Sequence, residues 1–295
     1  MKIVITGASG RLGQYTIREL GDHGHQVLCI DTAPSTEITI PSLSIDLRET
    51  ERLYAAFEGA DAVIHLARKR FAYTSNGFDP ISGLWKMPDF AADAGRFSHN
   101  VAITYNVLAA AQHAGVKKIV SGSSLAVYGL YYPLRPLFLD YLPVDEDHTL
   151  RPQDPYGISK LVGEEICAAF ARKSDMQIAS LRFAGIATDA EYSILKERAK
   201  DPLCRGTGAL WSYIDVRDAA IACRLAIEVD IPGHQPFNIC APTTIMKTPT
   251  DELIRQYLPQ VKRVKSGLEG NWSGYDTSKA TKVLGFTAKH LSLSK

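Results

Sequence analysis

Tyr156 and Lys160 could carry out acid–base chemistry on a hydroxyl group. They are four residues apart, so on a helix both side chains lie on one face, one turn apart. An adjacent ammonium stabilises tyrosinate and lowers the pKa of the phenol from its usual value of about 10 toward neutrality. Such a tyrosine can take the proton of an alcohol while a cofactor takes the hydride. The same spacing also occurs at Tyr192/Lys196 and Tyr275/Lys279.

The sequence around Tyr156 favours the first of these three pairs. Tyr156 follows Asp154-Pro155 at the start of a predicted helix, after a predicted strand that ends in Ser123-Ser124. Either serine could bind a substrate hydroxyl beside Tyr156, although serine at the end of a strand is also a common turn former. The other two pairs lie in the irregular C-terminal third, where surface positions on helices explain them better.

A glycine-rich turn links the first predicted strand, KIVIT at 2–6, to the first predicted helix. Gly7 permits a tight turn, Gly10 allows the backbone to approach a pyrophosphate, and Gly13 allows close helix packing. The helix N-terminus offers N–H groups and the positive end of its dipole to the phosphates. The turn therefore predicts a dinucleotide site at Thr6-Gly7-Ala8-Ser9-Gly10-Arg11-Leu12-Gly13.

Asp31 ends the second predicted strand, 24 residues after Gly7. A carboxylate at this position can accept hydrogen bonds from both ribose hydroxyls of NAD and would repel the 2′-phosphate of NADP. Residues 32–36 contain no Arg or Lys that could bind such a phosphate. The sequence thus favours NAD over NADP, with a turn-initiating aspartate as the alternative interpretation.

Alternating strands and helices must position these groups. The apolar patterns predict strands at 26–31, 61–67, 117–124 and 177–183 and helices at 12–20, 50–58, 99–114 and 156–173. Further helices are predicted at 216–228 and 250–258 and a further strand at PFNIC, 236–240. This alternation predicts the α/β class, a Rossmann-type doubly wound parallel sheet that binds ligands at the carboxyl ends of its strands.

Two long segments interrupt the alternation. Residues 68–98, with RKR and several aromatic residues, are too long for a passive connection and suggest a lid or substrate loop. Residues 129–155 are rich in Tyr and Pro and suggest an active-site loop. We expect an NAD-binding core over 1–183, continued by about 211–240, and a small substrate-binding lobe over 184–210 and 241–295.

Composition excludes several classes of partner. The 295 residues include 33 Lys plus Arg and 32 Asp plus Glu, a net charge of +1, which argues against nucleic acid as the main partner. No apolar run is long enough to cross a membrane, and the N-terminal residues do not resemble a signal peptide. The five cysteines form no Cys-x-x-Cys pair or zinc spacing, so we expect buried free thiols, no metal site and a cytoplasmic location.

The ordered motifs resemble the extended short-chain dehydrogenases/reductases, the NAD-dependent epimerase/dehydratase family. The motifs include TGxxGxxG, Asp31, HLA at 65–67, SSLAVYG, Tyr156-x-x-x-Lys160, LRF at 181–183, YIDVRDAA at 213–220, FNI at 237–239 and SKATKVLGF at 278–286. They extend over nearly the whole chain.

This resemblance implies a role for each matched residue. Tyr156 would be the acid/base, Lys160 would bind the nicotinamide ribose, and Ser124 would orient the reacting oxygen. Asn100 would support a water or the helix geometry beside the cofactor. The cofactor contacts would come from Gly7, Ser9, Gly10, Arg11, Leu12, Gly13, Asp31, Asp46, Leu47, Leu66, Ala67, Asn100, Tyr156 and Lys160. Relatives form homodimers through the helices around 100–113 and 156–171.

Three departures from the family pattern bear on the substrate. Leu125-Ala126 stand where sugar-nucleotide dehydratases carry Asp-Glu, which disfavours dehydration. The arginine that UDP-sugar epimerases place before Tyr213 is missing, and Gly185 aligns with an asparagine of those epimerases. A bidentate arginine is hard to replace as a diphosphate ligand.

We therefore expect an NAD-dependent dehydrogenase acting on a sugar, sugar acid or similar small alcohol. Ser123, Ser124, Arg68 and Lys69 are candidate substrate contacts, since the basic run 68–70 could bind a carboxylate or phosphate, although a solvated basic run is the simpler interpretation. His65 is more consistent with a structural role. A nucleotide-sugar epimerase is the first alternative, and a non-catalytic NAD sensor, which would tend to lack the Tyr–Lys pair, is the second.

Overall fold

The computed structural model describes residues 1–33, 40–70, 78–79, 84–85, 90–136, 138–203 and 209–291. The strands in these ranges are β1 Lys2–Thr6, β2 Gln26–Asp31, β3 Ser42–Ser44, β4 Ala62–His65, β5 Phe78–Asp79, β6 Leu84–Trp85, β7 Lys118–Ser124, β8 Gln177–Phe183, β9 Ile186–Ala187, β10 Ile214–Asp215 and β11 His234–Ile239. The helices are α1 Arg11–Asp22, α2 Thr50–Phe57, α3 Phe90–His113, α4 Pro155–Lys173, α5 Tyr192–Arg198, α6 Val216–Glu228, α7 Thr250–Tyr257 and α8 Ser278–Leu284.

A seven-stranded parallel sheet in the order β3-β2-β1-β4-β7-β8-β11 forms the centre of the protein. Helices α2, α3 and α4 pack on one face, and α1 and α6 pack on the other. This is the predicted doubly wound Rossmann-type fold, in which ligands bind where the strand order reverses, beside β1.

Both faces of the sheet are buried, as parallel sheets require. In β1, Ile3 and Ile5 belong to the apolar cluster under α1 and α6, while Val4 between them belongs to the cluster under α2, α3 and α4. Ile64 and Val63 of β4 divide between the clusters in the same way, because successive side chains of a strand point to opposite faces. The uninterrupted apolar runs of the sequence follow from this double burial.

The C-terminal segments pack against the same core. Trp211, Met246, Leu253 and Trp272 all belong to the cluster under α1 and α6. The short parallel pair of β9 and β10 lies beside them. A distinct substrate-binding lobe over 184–210 and 241–295 stays a prediction.

Sequence reasoning located the long elements but missed several short ones. Helix α3 begins at Phe90, so the end of the predicted loop 68–98 is helical. Phe90, Ala94 and Phe97 have the apolar spacing of four and three that indicates a helix, but the predicted loop includes them together with the Gly- and Pro-containing residues before them. Strand β3 was missed because it is three exposed residues with no β-branched side chain. Helices α5 and α8 are seven residues each and were also missed.

Four cysteines are buried free thiols, as predicted: Cys29, Cys167, Cys223 and Cys240. Cys204 and residues 71–77, 80–83 and 86–89 of the predicted loop 68–98 lie outside the described residues. Within the described ranges, no helix combines the length and apolar character needed to cross a membrane.

Candidate active site

A crevice of about 980 Å³ runs along the carboxyl ends of β2, β1, β4 and β7. This volume is at the upper end of the range for small-molecule sites. The crevice is lined by nearly every residue that the sequence singled out: Gly7, Ser9, Gly10, Arg11, Leu12, Gly13, Asp31, Asp46, Leu47, Leu66, Ala67, Arg68, Lys69, Ser123, Ser124, Tyr156 and Lys160. The sheet therefore brings the predicted cofactor and catalytic residues to one edge.

Gly7 and Gly13 are required by close packing inside the glycine-rich turn. Gly7 has a φ of +76°, and a Cβ there would lie 2.5 Å from the backbone nitrogen of Ala67 at the end of β4. A Cβ on Gly13 would lie 2.4 Å from the carbonyl oxygen of Gly7. The missing side chains allow the turn to contact the backbone after β4 and allow the first turn of α1 to contact the glycine-rich turn.

The N-terminus of α1 suits an anionic ligand. Its N-cap is Gly10, which has no side chain to cap the first N–H groups, and its first turn has no acidic residue. The N–H groups of Arg11, Leu12 and Gly13 have no acceptor within the helix, and all three residues line the crevice. Unsatisfied donors at the positive end of a helix fit the pyrophosphate of a dinucleotide.

The two aspartates at the other end of the crevice are held in different ways. Asp31 accepts hydrogen bonds from the backbone nitrogens of Ser9, at 3.0 Å, and Thr32, at 2.8 Å. Asp46 accepts from the guanidinium of Arg48, and these hydrogen bonds lower the pKa of its carboxyl to about 2. Asp31 thereby joins the glycine-rich turn to the end of β2, where a ribose would lie.

Replacing Gly7 by Ala should destabilise the protein by more than a matched glycine elsewhere. Gly24 has nearly the same φ, +75°, but nothing lies within 4 Å of its Cβ position. Gly24→Ala should therefore cost only the left-handed backbone strain, about 1–2 kcal/mol. Gly7→Ala adds a clash with backbone atoms. Urea unfolding of both variants measures the difference, and equal losses of free energy of unfolding would contradict this account of Gly7.

Helix α4 positions Tyr156 and Lys160. Its N-cap, Asp154, accepts hydrogen bonds from the backbone nitrogens of Tyr156 and Gly157, each at 3.0 Å, and Pro155 occupies the first turn. The Asp-Pro before Tyr156 is thus the start signal of the helix. One turn later, Lys160 reaches the same crevice.

Lys160 lies between the end of β7 and the ring of Tyr156. Its Nζ donates to the carbonyl oxygen of Gly122 at 2.7 Å and lies 5.9 Å from the centre of the Tyr156 ring. Withdrawal from water, together with the nearby charge of Arg68, lowers the pKa of Lys160 to about 7. The ammonium is held where it can stabilise a tyrosinate.

The two serines at the end of β7 differ in what their hydroxyls contact. Ser124 Oγ accepts from the backbone nitrogen of Ala126 at 3.2 Å and caps the short 3-10 helix Leu125–Tyr128. Ser123 donates to Glu164 Oε1 at 2.5 Å, in the buried interior beneath the crevice. The hydroxyl of Ser123 is thus bound to Glu164 and that of Ser124 to the backbone of the 3-10 helix, and both residues line the crevice.

His65 and Asn100 support the crevice rather than face it. His65 lies between the hydroxyls of Thr6 and Thr104, and burial lowers its pKa to about 3, so it is neutral. The side chain of Asn100 holds both backbone groups of Lys69: its Oδ1 accepts from the nitrogen at 2.7 Å, and its Nδ2 donates to the carbonyl oxygen at 3.1 Å.

The other Tyr-x-x-x-Lys pairs do not line this crevice. Tyr275 is buried in the core, and Lys279 lies over the ring of Phe237. The hydroxyl of Tyr192 accepts from Arg217. Of the three pairs, Tyr156/Lys160 is the one that lines the crevice.

Tyr131 and Tyr132 are crevice residues that sequence reasoning did not single out. The ring of Tyr132 lies edge-on to Tyr156, with centroids 6.4 Å apart. The hydroxyl of Tyr131 accepts from the backbone nitrogen of Gly185. In the sequence, the only indication of these two residues was the Tyr/Pro-rich composition of 129–155, which predicted the loop but not the individual tyrosines.

Among the described residues, no group of His, Cys, Asp and Glu could hold a metal ion.

Comparison with protein families matches two models. Residues 86–240 match the NAD dependent epimerase/dehydratase family. Residues 7–148 match an NAD(P)H-binding family. Together the matches extend from the glycine-rich turn past both catalytic candidates.

Three curated relatives show the range of reactions among similar chains. An L-arabinose 1-dehydrogenase (NAD(P)(+)) of Haloferax volcanii is 29% identical over 78% of this chain and 84% of its own. A 2-alkyl-3-oxoalkanoate reductase of Stenotrophomonas maltophilia is 30% identical over 79% and 67%. A UDP-glucose 4-epimerase of Lactobacillus helveticus is 27% identical over 68% and 57%.

A solved structure has the same fold. It is a short-chain dehydrogenase/reductase superfamily protein of Agrobacterium tumefaciens with bound NAD, and the similarity covers 100% of this chain and 94% of that one. The TM-score is 0.71 at 24% identity.

Proposed function

Because this chain belongs to the NAD-dependent epimerase/dehydratase family, an enzyme family that uses NAD, we propose that it oxidises a secondary hydroxyl of a sugar, sugar acid or similar small alcohol. The observation that carries the proposal is Lys160, hydrogen-bonded to Gly122 at the end of β7 and placed against the ring of Tyr156 in the crevice. A non-catalytic sensor would not need this arrangement.

Each of these crevice residues would have a separate role in the oxidation. Bound NAD supplies the hydride acceptor. The N-terminus of α1 and the carboxylate of Asp31 would hold the pyrophosphate and adenosine ribose. Tyr156 would take the hydroxyl proton of the substrate as its carbon loses the hydride, giving a carbonyl product, NADH and a proton. Lys160 would stabilise the tyrosinate, and Ser124 would donate to the reacting oxygen.

The part of the crevice lining formed by residues 131–132 and 183–186 favours a small substrate. It consists of Tyr131, Tyr132, Phe183, Ala184, Gly185 and Ile186. None of these six is cationic, so this part of the described lining has no side chain that could form an ion pair with the diphosphate of a nucleotide sugar. Phenol rings and a small apolar floor suit the faces of a sugar ring.

An epimerase that oxidises and then re-reduces a nucleotide sugar uses the same Tyr, Lys and Ser. The resemblance to UDP-glucose 4-epimerases keeps this reaction as the alternative. The two reactions differ in net turnover, since only the dehydrogenase releases NADH.

Incubation with NAD and a substrate panel tests the proposal. The panel contains free aldoses, uronic acids, aldonic acids and UDP-sugars, with absorbance following NADH and NMR following the carbohydrate. We expect net NADH and one oxidised product from a free sugar or sugar acid. Conversion of stereoisomers without net NADH would replace the dehydrogenase by the epimerase.

Asp31→Asn should weaken the selection of NAD over NADP. The carboxylate would accept from both ribose hydroxyls and repel a 2′-phosphate, whereas the amide keeps one acceptor and loses the charge. We expect the KM for NAD to rise about tenfold and the ratio of kcat/KM for NADP to that for NAD to rise at least tenfold. Asp22→Asn, at the exposed end of α1, is the control. An unchanged ratio would show that Asp31 does not select the cofactor.

We also propose that the enzyme is a cytoplasmic homodimer. Buried free thiols suit a reducing compartment. Exposed apolar residues on α3 and α4, Tyr105 and Ile158, support a dimer formed through these two helices.

A further inference from the structure

Three consecutive cations, Arg68, Lys69 and Arg70, follow β4 and line the crevice. All three side chains are exposed. No described residue forms a hydrogen bond or ion pair with their charged groups.

The other crevice arginines are paired with carboxylates. Arg11 lies 2.7 Å from Glu191, and Arg48 lies 2.5 Å from Asp46. Their charge is therefore balanced locally. The unbalanced positive charge of the described crevice is concentrated in the 68–70 segment and Lys160.

The backbone of this basic segment is fixed in place. Asn100, which is buried, makes hydrogen bonds to both the N–H and the carbonyl oxygen of Lys69. Thr104 donates to the carbonyl oxygen of Asn100 one turn further along α3. The cations therefore extend from an anchored backbone, unlike those of a loosely solvated basic run.

Arg68 reaches the reacting end of the crevice. Its Cζ lies 5.5 Å from the centre of the Tyr156 ring, while Lys160 Nζ lies 5.9 Å from the same centre. Two positive charges thus lie beside the ring of Tyr156, whose phenol oxygen would take the substrate proton. The described residues that line the crevice place no carboxylate at this end, because Asp31 and Asp46 lie at β2 and β3. Three strand spacings, about 14 Å, separate the end of β2 from that of β7.

We propose that the substrate carries an anionic group, a carboxylate or a phosphate monoester, and that Arg68 binds it beside Tyr156. This inference rests on the proposed oxidation of a small sugar-type alcohol and narrows it to an acid or phosphate. A guanidinium pairs with either group through two parallel hydrogen bonds. Lys69 and Arg70 at the mouth of the crevice add attraction during approach.

Kinetics on substrates with one carbon skeleton test this inference. D-glucose, D-glucuronate and D-glucose 6-phosphate, with the corresponding galactose series, are compared in wild type and in Arg68→Gln at saturating NAD. We expect wild type to prefer one of the anionic forms. Arg68→Gln should raise the KM for that form about 10–100-fold and change the KM for the neutral sugar and for NAD less than threefold.

Two further variants distinguish the positive charge of Arg68 from the planar shape of its guanidinium and from the general effect of removing an arginine. Arg68→Lys keeps the charge but loses the planar fork, so it should recover only part of the lost affinity. Arg255→Gln removes an exposed arginine on α7, outside the crevice, and should leave all values unchanged. A preference of wild type for the neutral sugars, or an equal loss for neutral and anionic forms in Arg68→Gln, would overturn the inference.

Calorimetric titration distinguishes failure of this inference from failure of the proposed oxidation. If no sugar yields NADH, the proposed oxidation fails, and the NAD-saturated protein is titrated with D-glucuronate and D-glucose 6-phosphate. Binding by wild type that Arg68→Gln loses would support the anion site without turnover. Absence of binding by wild type would overturn it.

Discussion

Tyr156→Phe should lower kcat by about 10³-fold while leaving NAD affinity nearly unchanged. The substitution removes one oxygen and keeps the ring that lies between Arg68, Lys160 and Tyr132. Without that oxygen nothing takes the substrate proton, and general acid–base catalysis of this kind contributes about 10²–10⁴-fold. Single-turnover formation of NADH on the best substrate of the panel gives the rate, and fluorescence titration gives the affinity for NAD.

Tyr192→Phe is the matched control for this experiment. It belongs to another Tyr-x-x-x-Lys pair, and its hydroxyl contacts Arg217 rather than the crevice. We expect its kcat to stay within twofold of wild type. If Tyr156→Phe keeps more than a tenth of the wild-type rate, Tyr156 is not the acid/base, and the proposed division of roles in the crevice fails.

Much of this site could be predicted because its signals are local. The turn Gly7–Gly13 lies between a strand and a helix, and Asp31 and Ser124 each lie at the end of a strand, so chain order alone brought them to one sheet edge. Likewise, Asp154-Pro155 marks the start of α4 and selects one of three equivalent Tyr–Lys pairs.

What could not be predicted depends on contacts between distant parts of the chain. Ser123 and Ser124 are equivalent in the sequence, yet their hydroxyls have different partners, because successive residues of β7 face opposite sides of the sheet. The hydrogen bonds of Asn100 to Lys69 connect positions 31 residues apart. Their effect is to turn a basic run, which resembles a solvated surface, into a fixed part of the crevice wall.

A buried polar network beneath the crevice was likewise invisible in the sequence. Ser123, Arg182 and Asn238 are register partners on β7, β8 and β11. Glu164 of α4 accepts from Ser123 and from Arg182, and Tyr128 accepts from Arg182 at 2.8 Å. The network ties the strand that carries Ser124 to the helix that carries Tyr156 and Lys160.

Breaking the ion pair at the centre of this network should cause a large loss of stability. Arg182 Nη2 lies 2.7 Å from Glu164 Oε2, and their side chains are only 3% and 5% exposed. Burial alone would lower the pKa of Arg182, but the hydrogen bonds to Glu164 outweigh it and raise the pKa above its usual value. Glu164→Ala leaves this guanidinium charged, buried and unpaired, so we expect a loss of about 3–5 kcal/mol in the free energy of unfolding.

Urea unfolding of a double-mutant cycle isolates the pair from the helix around it. Glu165→Ala, the next residue of α4 and exposed, should cost less than about 0.5 kcal/mol. The cycle compares Glu164→Met and Arg182→Leu with the variant that carries both. Replacing both partners removes the unpaired charge, so the double variant should be more stable than Glu164→Met alone. A double variant as unstable as the sum of its single variants would mean that the two side chains do not interact. Ser124, Tyr156 and Lys160 would then owe their alignment to packing between β7 and α4 alone.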